Sequence, residues 1–478
     1  MNVIQSFATE SASSTRIHDL IKEIAEFLTA KGLKGNFHLT GDFARALRRH
    51  ARRDVIQALA RHEIGYHCNH HGGRPFMAGY GEADPWRDAV ATWLAEEMPG
   101  IRVLEELFER TPAYHTTEFA KAPQVAYGSW LAGIPSTGIL LGQGPDGQTA
   151  PLPDAGQGAA WYCNSFVPTG RFLFSPDLNM SDLARKVRRA LARLSAELDQ
   201  SPGGVLRSFT HEYPLAWDTT RPMIGSSYAD THYEDISFEY LRESKIAKNM
   251  GQWKRLTGIL ADYPGTRFIG YTDYLEDVYH PGHGQWLSIR DIDRVANRLI
   301  DGLDAVSLER VSVSPAEAAG LLVRALRIHG ETGSWPKTVA VRSLIGPTEE
   351  PARGVPACSL RTKSLLAGLK DIDRTMDDDS FIPAGIDIGG RMLGPGQWLQ
   401  CLARLYGRLR AGNGELGEIA CPKESLPVIA DDAFFRQRVF TRPKLYPEGF
   451  TGERICRLCR LQSWSWKPAV LRPAGLVR

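Results

Sequence analysis

What most constrains this chain is an order of elements, strand, helix, helix, strand, that ends in a knot of histidines. Arg61-His-Glu-Ile-Gly-Tyr-His-Cys-Asn-His-His71 packs four histidines into eleven residues. Ahead of it, Lys34-Gly-Asn-Phe-His-Leu-Thr-Gly41 reads as a short strand closed by a turn glycine. Asp42 is then the N-cap of a helix over Phe43-Ala-Arg-Ala-Leu47, and Asp54 caps a second over Val55-Ile-Gln-Ala-Leu-Ala60. Glu63-Ile-Gly-Tyr-His67 follows as the next strand. Strands joined through helices run parallel, and parallel α/β folds gather their chemistry at the strands' carboxyl ends, where these histidines fall. His67 and His71 stand four apart, so on a helical turn both imidazoles project from one face and can grip one divalent ion. The plainer reading of an isolated pair at that spacing is a solvated polar loop or two core histidines.

The runs Gly35-Asn-Phe-His-Leu-Thr-Gly41 and His62-Glu-Ile-Gly-Tyr-His-Cys-Asn-His-His71 together resemble the NodB-homology polysaccharide deacetylase family. Its members carry a Phe-Phe-x-x-Gly strand and a His-Glu-Ile-Gly-x-His-x-x-x-His signature. The resemblance implies a deformed parallel (β/α) barrel over residues 1–280, with His67 and His71 as ligands of a catalytic divalent metal of the zinc kind. It gives His62 a structural place and His70 no role. Glu109-Arg-Thr-Pro112 is similar to the family's Arg-x-Pro motif, which implies that Arg110 orients the catalytic carboxylate; an ordinary surface arginine is the plain alternative. Val205-Leu-Arg-Ser-Phe-Thr-His211 is similar to the late strand bearing the general-acid histidine, which makes His211 the acid and Glu212 to Asp218 a wall beside it. Leu260 to Glu276 is similar to the family's last strand and helix.

At the first strand the pattern breaks. Family members end it in Thr-Phe-Asp-Asp or Phe-Asp-Val-Glu, where one aspartate is the general base. Here the strand reads Val3-Ile-Gln-Ser-Phe-Ala-Thr-Glu10, and aligning Phe7 puts Ala8 in the place of the base. Glu10 is the nearby carboxylate: third metal ligand, base, or a plain strand-end charge. Asp42, Glu118 and Asp218 are other carboxylates that folding can bring to the vacated place. Removing an acetyl group from an N-acetylated sugar needs an activated water, a polarised carbonyl and a proton for the leaving amine. Loss of a general base costs a factor of about a hundred to ten thousand. Three activities therefore stand: a metal-dependent hydrolase of N-acetylated glycan, a catalytically degenerate barrel that binds glycan, and a hydrolase of a non-sugar carbon–nitrogen bond.

With 478 residues the chain is too long for one core. A formal net charge of +2 gives no argument for nucleic acid or an anionic membrane as partner, and neither is expected. Seven scattered cysteines, an odd number, suit reduced thiols better than a disulfide framework. Met1-Asn-Val-Ile-Gln-Ser-Phe7 has no basic region leading into an apolar run, and no stretch approaches the roughly twenty apolar residues of a membrane span. A cytoplasmic location is expected, unless an upstream segment precedes this start.

Beyond residue 285 the texture changes to a smaller mixed α+β repeat domain, assigned to 286–420, with a C-terminal extension over 421–478. Ser314, Pro336 and Gly346-Pro347 recur as Ser359, Pro383 and Gly394-Pro395, at spacings of 45, 47 and 48 residues, which reads as one helix, strand and turn unit used twice. The layout is weakly similar to pseudomurein-binding repeats, which implies glycan binding; a packing or dimerising domain is the alternative. Cys456-Arg-Leu-Cys459 lies among apolar residues at helical spacing and reads as one face of a helix. Trp464-Ser-Trp466 either stacks on sugar or covers the core.

Overall fold

The computed structural model describes residues 1–9, 15–70, 81–82, 85–116, 122–138, 158–168, 171–174, 185, 187–189, 191–192, 195–196, 203–211, 213–216, 240–280, 282, 284–352, 354–412, 417–436 and 451–472. Ten barrel strands are β1 (Asn2–Thr9), β2 (Asn36–Leu39), β3 (Glu63–Tyr66), β4 (Tyr114–Thr116), β5 (Ser136–Gly138), β6 (Ala159–Tyr162), β7 (Ser165–Pro168), β8 (Arg171–Phe174), β9 (Val205–His211) and β10 (Arg267–Phe268). The helices between them are α1 (Thr15–Ala30), α2 (Gly41–Arg49), α3 (Arg53–Leu59), α4 (Trp86–Phe108), α5 (Pro123–Leu131) and α6 (Glu243–Ala261).

Neighbouring strands run in the order β8, β9, β1, β2, β3, β4, β5, β7, β6, and β10 lies beside the first residues of β1. Nine of these are parallel; only β6 turns back, as the antiparallel partner of β7. The sheet is curled. Arg207 on β9 donates to the Tyr114 hydroxyl on β4 at 2.8 Å, although four strand spacings of a flat sheet would hold those strands about 19 Å apart. This is the deformed (β/α) barrel that the sequence implied.

Alternation along the strands sorts side chains to its two faces. Phe7 stacks on its register partner Phe37 at 4.9 Å and meets Trp253 of α6 edge-on, which seals the outer face under the helices. The inner face is aromatic and polar: Tyr114 stacks on Tyr271 at 3.7 Å, and His38 lies against both. Glycine makes room there, since a Cβ on Gly65 would stand 2.6 Å from the His38 ring.

Local expectations met two corrections. The N-cap of α2 is Thr40, whose hydroxyl accepts from the Phe43 N–H at 3.0 Å, so Asp42 lies inside the first turn. Helix α3 starts at Arg53, and Asp54 is likewise a first-turn residue. His62 is structural: its Nδ1 accepts from the Gly35 N–H at 3.2 Å, and its Nε2 lies 2.8 Å from the Ala25 carbonyl.

The repeat has a longer period than the sequence landmarks suggested. Strand β11 (Trp286–Ser288), helix α7 (Ile289–Asp301), the pair Val306–Ser307 and Ser312–Val313, helix α8 (Pro315–Thr332) and strand β12 (Thr338–Ala340) form one unit. Strand β13 (Cys358–Arg361), helix α9 (Thr362–Asp379), the pair Ile386–Asp387 and Met392–Leu393, helix α10 (Pro395–Arg410) and strand β14 (Glu418–Cys421) form the second. In each unit the first and last strands pair antiparallel, and the equivalents from the inner strand pair onward lie 80 residues apart. The proline at 315 thus corresponds to Pro395, not to the start of α9. Copies interlock, α7 on α10 and α8 on α9, around one apolar core.

The extension folds back over both parts. Helix α11 (Glu453–Leu461) sets Cys459 in the barrel core and leaves Cys456 partly exposed, as one helix face. Strand β15 (Lys467–Pro468) pairs antiparallel with β6. Trp464 and Trp466 are buried, so they cover the core and are not a surface for sugar. Lys467 Nζ lies 2.6 Å from the Glu317 carboxylate at the start of α8, with both side chains buried. Among the described residues no helix is long and apolar enough to cross a membrane.

Candidate active site

Strand β3 carries the histidine cluster to the carboxyl end of the sheet. His67 extends the ladder one residue past the strand, its N–H donating to the Leu39 carbonyl at 2.9 Å. From His67 to His70 the backbone is an irregular bend and not a helical turn. The first turn of α2 receives it: the N–H groups of Gly41 and Asp42 donate to the carbonyls of Cys68 and Asn69 at 2.9 and 3.1 Å. Such close passage excludes side chains, for a Cβ on Gly41 would stand 2.5 Å from Asn69 Oδ1, and one on Gly100 2.9 Å from Asn69 Cα.

Buried Glu97 of α4 fixes the bend from the other side. Its carboxylate accepts from the Asn69 N–H at 2.8 Å and from the Tyr66 hydroxyl. Arg45 adds bonds to Asn69 Oδ1 at 2.8 Å and to Asp42. His70 Nδ1 lies 3.0 and 3.1 Å from the two Asp42 oxygens. Burial opposes ionisation of Asp42, but hydrogen bonds from His70 and Arg45 outweigh it and hold its pKa below the ordinary value. The same bond to Asp42 raises the pKa of His70. Asp42 is thus committed to this cluster at the rim and does not occupy the place of the missing base.

That place is defined by register. Ala8 is the partner of His38 on β2 and of His211 on β9, so the three share one level of the sheet. His211 is half-buried, its ring edge-on to Phe209 at 4.9 Å. His38 went unnoticed in sequence, where its run passed only as a strand; a histidine in a strand buried at every position was the available signal. It bonds Thr116 Oγ1, and its buried Nε2 has no hydrogen-bond partner among the described residues. Burial first, then nearby His67 and Arg207, holds its pKa well below the usual histidine value.

Arg110 is not brought to this end. It precedes β4 and donates to the carbonyls of Ala60 and His62, at the amino end of β3, four residues before the strand's last. Arg110 instead ties the α3–β3 turn to the approach of β4.

Glu10, His71, Glu118 and Asp218 lie outside the described residues. Among the described residues no three His, Cys, Asp or Glu side chains converge on a point that holds a metal ion. His67 is the described member of the expected set; in type, two imidazoles and a carboxylate suit a zinc-class ion.

No protein-family model matches the sequence, and neither does any curated protein sequence. Among solved structures, the chain is similar to a protein of Mycobacterium smegmatis assigned as a polysaccharide deacetylase, with 14% identity over 57% of this chain and 87% of that one, at a TM-score of 0.33. It is similar to the allantoinase PuuE, with 11% identity over 57% and 88% of the two chains and a TM-score of 0.35. It is also similar to a family 4 acetyl xylan esterase from Clostridium thermocellum in complex with a cobalt ion, with 11% identity over 57% and 90% of the two chains and a TM-score of 0.27.

Proposed function

We propose that the barrel removes an acyl group from an N-acetylated sugar or glycan in a metal-dependent hydrolysis. The observation that carries this reading is His67 at the carboxyl end of β3, in a signature-bearing bend clamped by Gly41, Arg45 and Glu97, with His211 on the same rim. In this reading His67, His71 and Glu10 hold a divalent metal, zinc by donor type. When bound, that ion polarises the acyl carbonyl and acidifies water. His211, half-exposed at the end of β9, gives the proton that the leaving amine takes up. The bend, pinned on both sides, keeps His67 oriented without a further ordering cost.

A second reading has its own observation. Ala8 is a fully buried methyl at the level of His38 and His211, and no described carboxylate shares that level. A barrel that binds glycan and turns it over slowly or not at all follows from that vacancy of function, and the repeat domain would then supply further glycan contacts.

Elemental analysis separates the readings. The hydrolase holds about one equivalent of zinc, cobalt or nickel per chain, loses it in the His67→Ala, His71→Ala double variant, and releases acetate from N-acetylglucosamine oligomers. Glycan retention with no bound metal and no acetate overturns it in favour of the binder.

A further inference from the structure

The second repeat carries a chemical feature that the first lacks. Cys358 and Cys421 are register partners in the antiparallel pair β13–β14, which joins the two ends of that unit. Equivalent positions in the first unit hold Gln285 and Val341, whose backbones are joined by a 2.7 Å hydrogen bond. Cys401 of α10 packs beneath, and the Cys421 thiol is within hydrogen-bonding reach of both Cys401 and Cys358. All three are thiols.

We propose that Cys358 and Cys421 are a redox pair, oxidised by a hydroperoxide to a disulfide that locks the ends of the second repeat together. Cα atoms of directly opposed antiparallel residues stand about 4.5–5.5 Å apart, inside the span of about 4.4–6.8 Å that a disulfide bridges. The backbone therefore need not move. Cys358 is partly exposed and gives a small oxidant its approach to the pair, whereas Cys421 and Cys401 are buried.

The sulfur chemistry favours Cys421 as the attacking atom. A hydrogen bond from Cys401, then one from Cys358 and the charge of Arg404, outweigh burial and hold the Cys421 pKa below the ordinary thiol value. Arg404 is fixed there by its bond to the Ala420 carbonyl at 2.6 Å. The Cys421 thiolate attacks the O–O bond of hydrogen peroxide, forming a sulfenic acid and releasing hydroxide, which takes up a proton as water. The Cys358 sulfur then displaces the sulfenic hydroxyl, giving the disulfide and a second water. Two thiols lose two electrons in all, and one peroxide gains them.

The test is a non-reducing peptide map of the full-length protein before and after stoichiometric hydrogen peroxide, read beside thermal melts. The expected result is a cross-linked peptide pair containing Cys358 and Cys421 as the main product, ahead of any Cys401–Cys421 product, with an upward melting shift that dithiothreitol reverses. Cys401→Ser keeps the cross-link, and Cys358→Ser abolishes both cross-link and shift. Peroxide-treated wild-type protein with Cys358 and Cys421 uncrossed, with Cys421 joined chiefly to Cys401, or with these sulfurs only sulfinic, overturns the proposal. The wild-type map decides this whether or not either variant folds.

Discussion

Ala8 of β1 and His211 of β9 are register partners on adjacent parallel strands. A methyl group therefore stands beside the candidate acid, where the resemblance called for an aspartate. Ala8→Asp is expected to raise acetate release from N-acetylated sugar oligomers by a factor of about a hundred or more, the usual worth of a general base. The measurement is acetate produced per folded, metal-loaded chain. An unchanged rate would show that position 8 is not what limits turnover.

Glu97 takes hydrogen bonds from both Tyr66 and the Asn69 backbone and so holds the bend that follows His67. Replacing it with alanine removes that shared acceptor. The expected result is a loss of metal affinity of about 10- to 100-fold, the common cost of losing a support behind a ligand. Competition with a chromophoric chelator reads it directly.

Arg110 serves the turn before β3, not the carboxyl-end rim. Arg110→Ala should lower stability by about 1–3 kcal/mol, the range for hydrogen bonds from a charged donor, while acetate release per folded chain stays as in wild type. A collapse of turnover without loss of melting temperature would return Arg110 to the catalytic role its motif implied.

His62 is buried, and burial lowers its pKa below the usual 6.5. The unfolded chain therefore binds a proton there at a higher pH than the folded chain does. Stability from the neutral His62 is complete above about pH 6.5 and is lost as pH falls toward its folded pKa, with a slope of at most about 1.4 kcal/mol per pH unit. Denaturant titrations from pH 7.5 to 5 should show this decline, and His62→Gln should flatten it. Equal slopes in the two proteins would assign the acid sensitivity to other groups.

Much of the barrel was legible in the residues. The β9 strand has the bounds read from Val205-Leu-Arg-Ser-Phe-Thr-His211, and β2, β3 and β10 lie inside the runs assigned to them, because alternation and turn residues act locally. A parallel sheet followed from element order, and its curling into a barrel from the family resemblance. The duplication was read with too short a period: Gly394-Pro395 opens helix α10 whereas Gly346-Pro347 opens no helix, and α8 and α9, both of 18 residues, look alike along the chain. Only paired strands, β11 with β12 and β13 with β14, reveal which landmarks are equivalent.

By itself the sequence determined the elements and the histidine cluster, which are matters of residue type and near-neighbour spacing, and the family resemblance marked Ala8 as the place of an expected aspartate. Only the tertiary structure decided which ends of strands meet. It placed Arg110 at the amino end of β3, gave Asp42 to His70 and Arg45, set His38 level with Ala8, and buried Trp464 and Trp466. Those outcomes depend on strand direction, register and the faces that remote segments cover, and no local spacing along the chain encodes them.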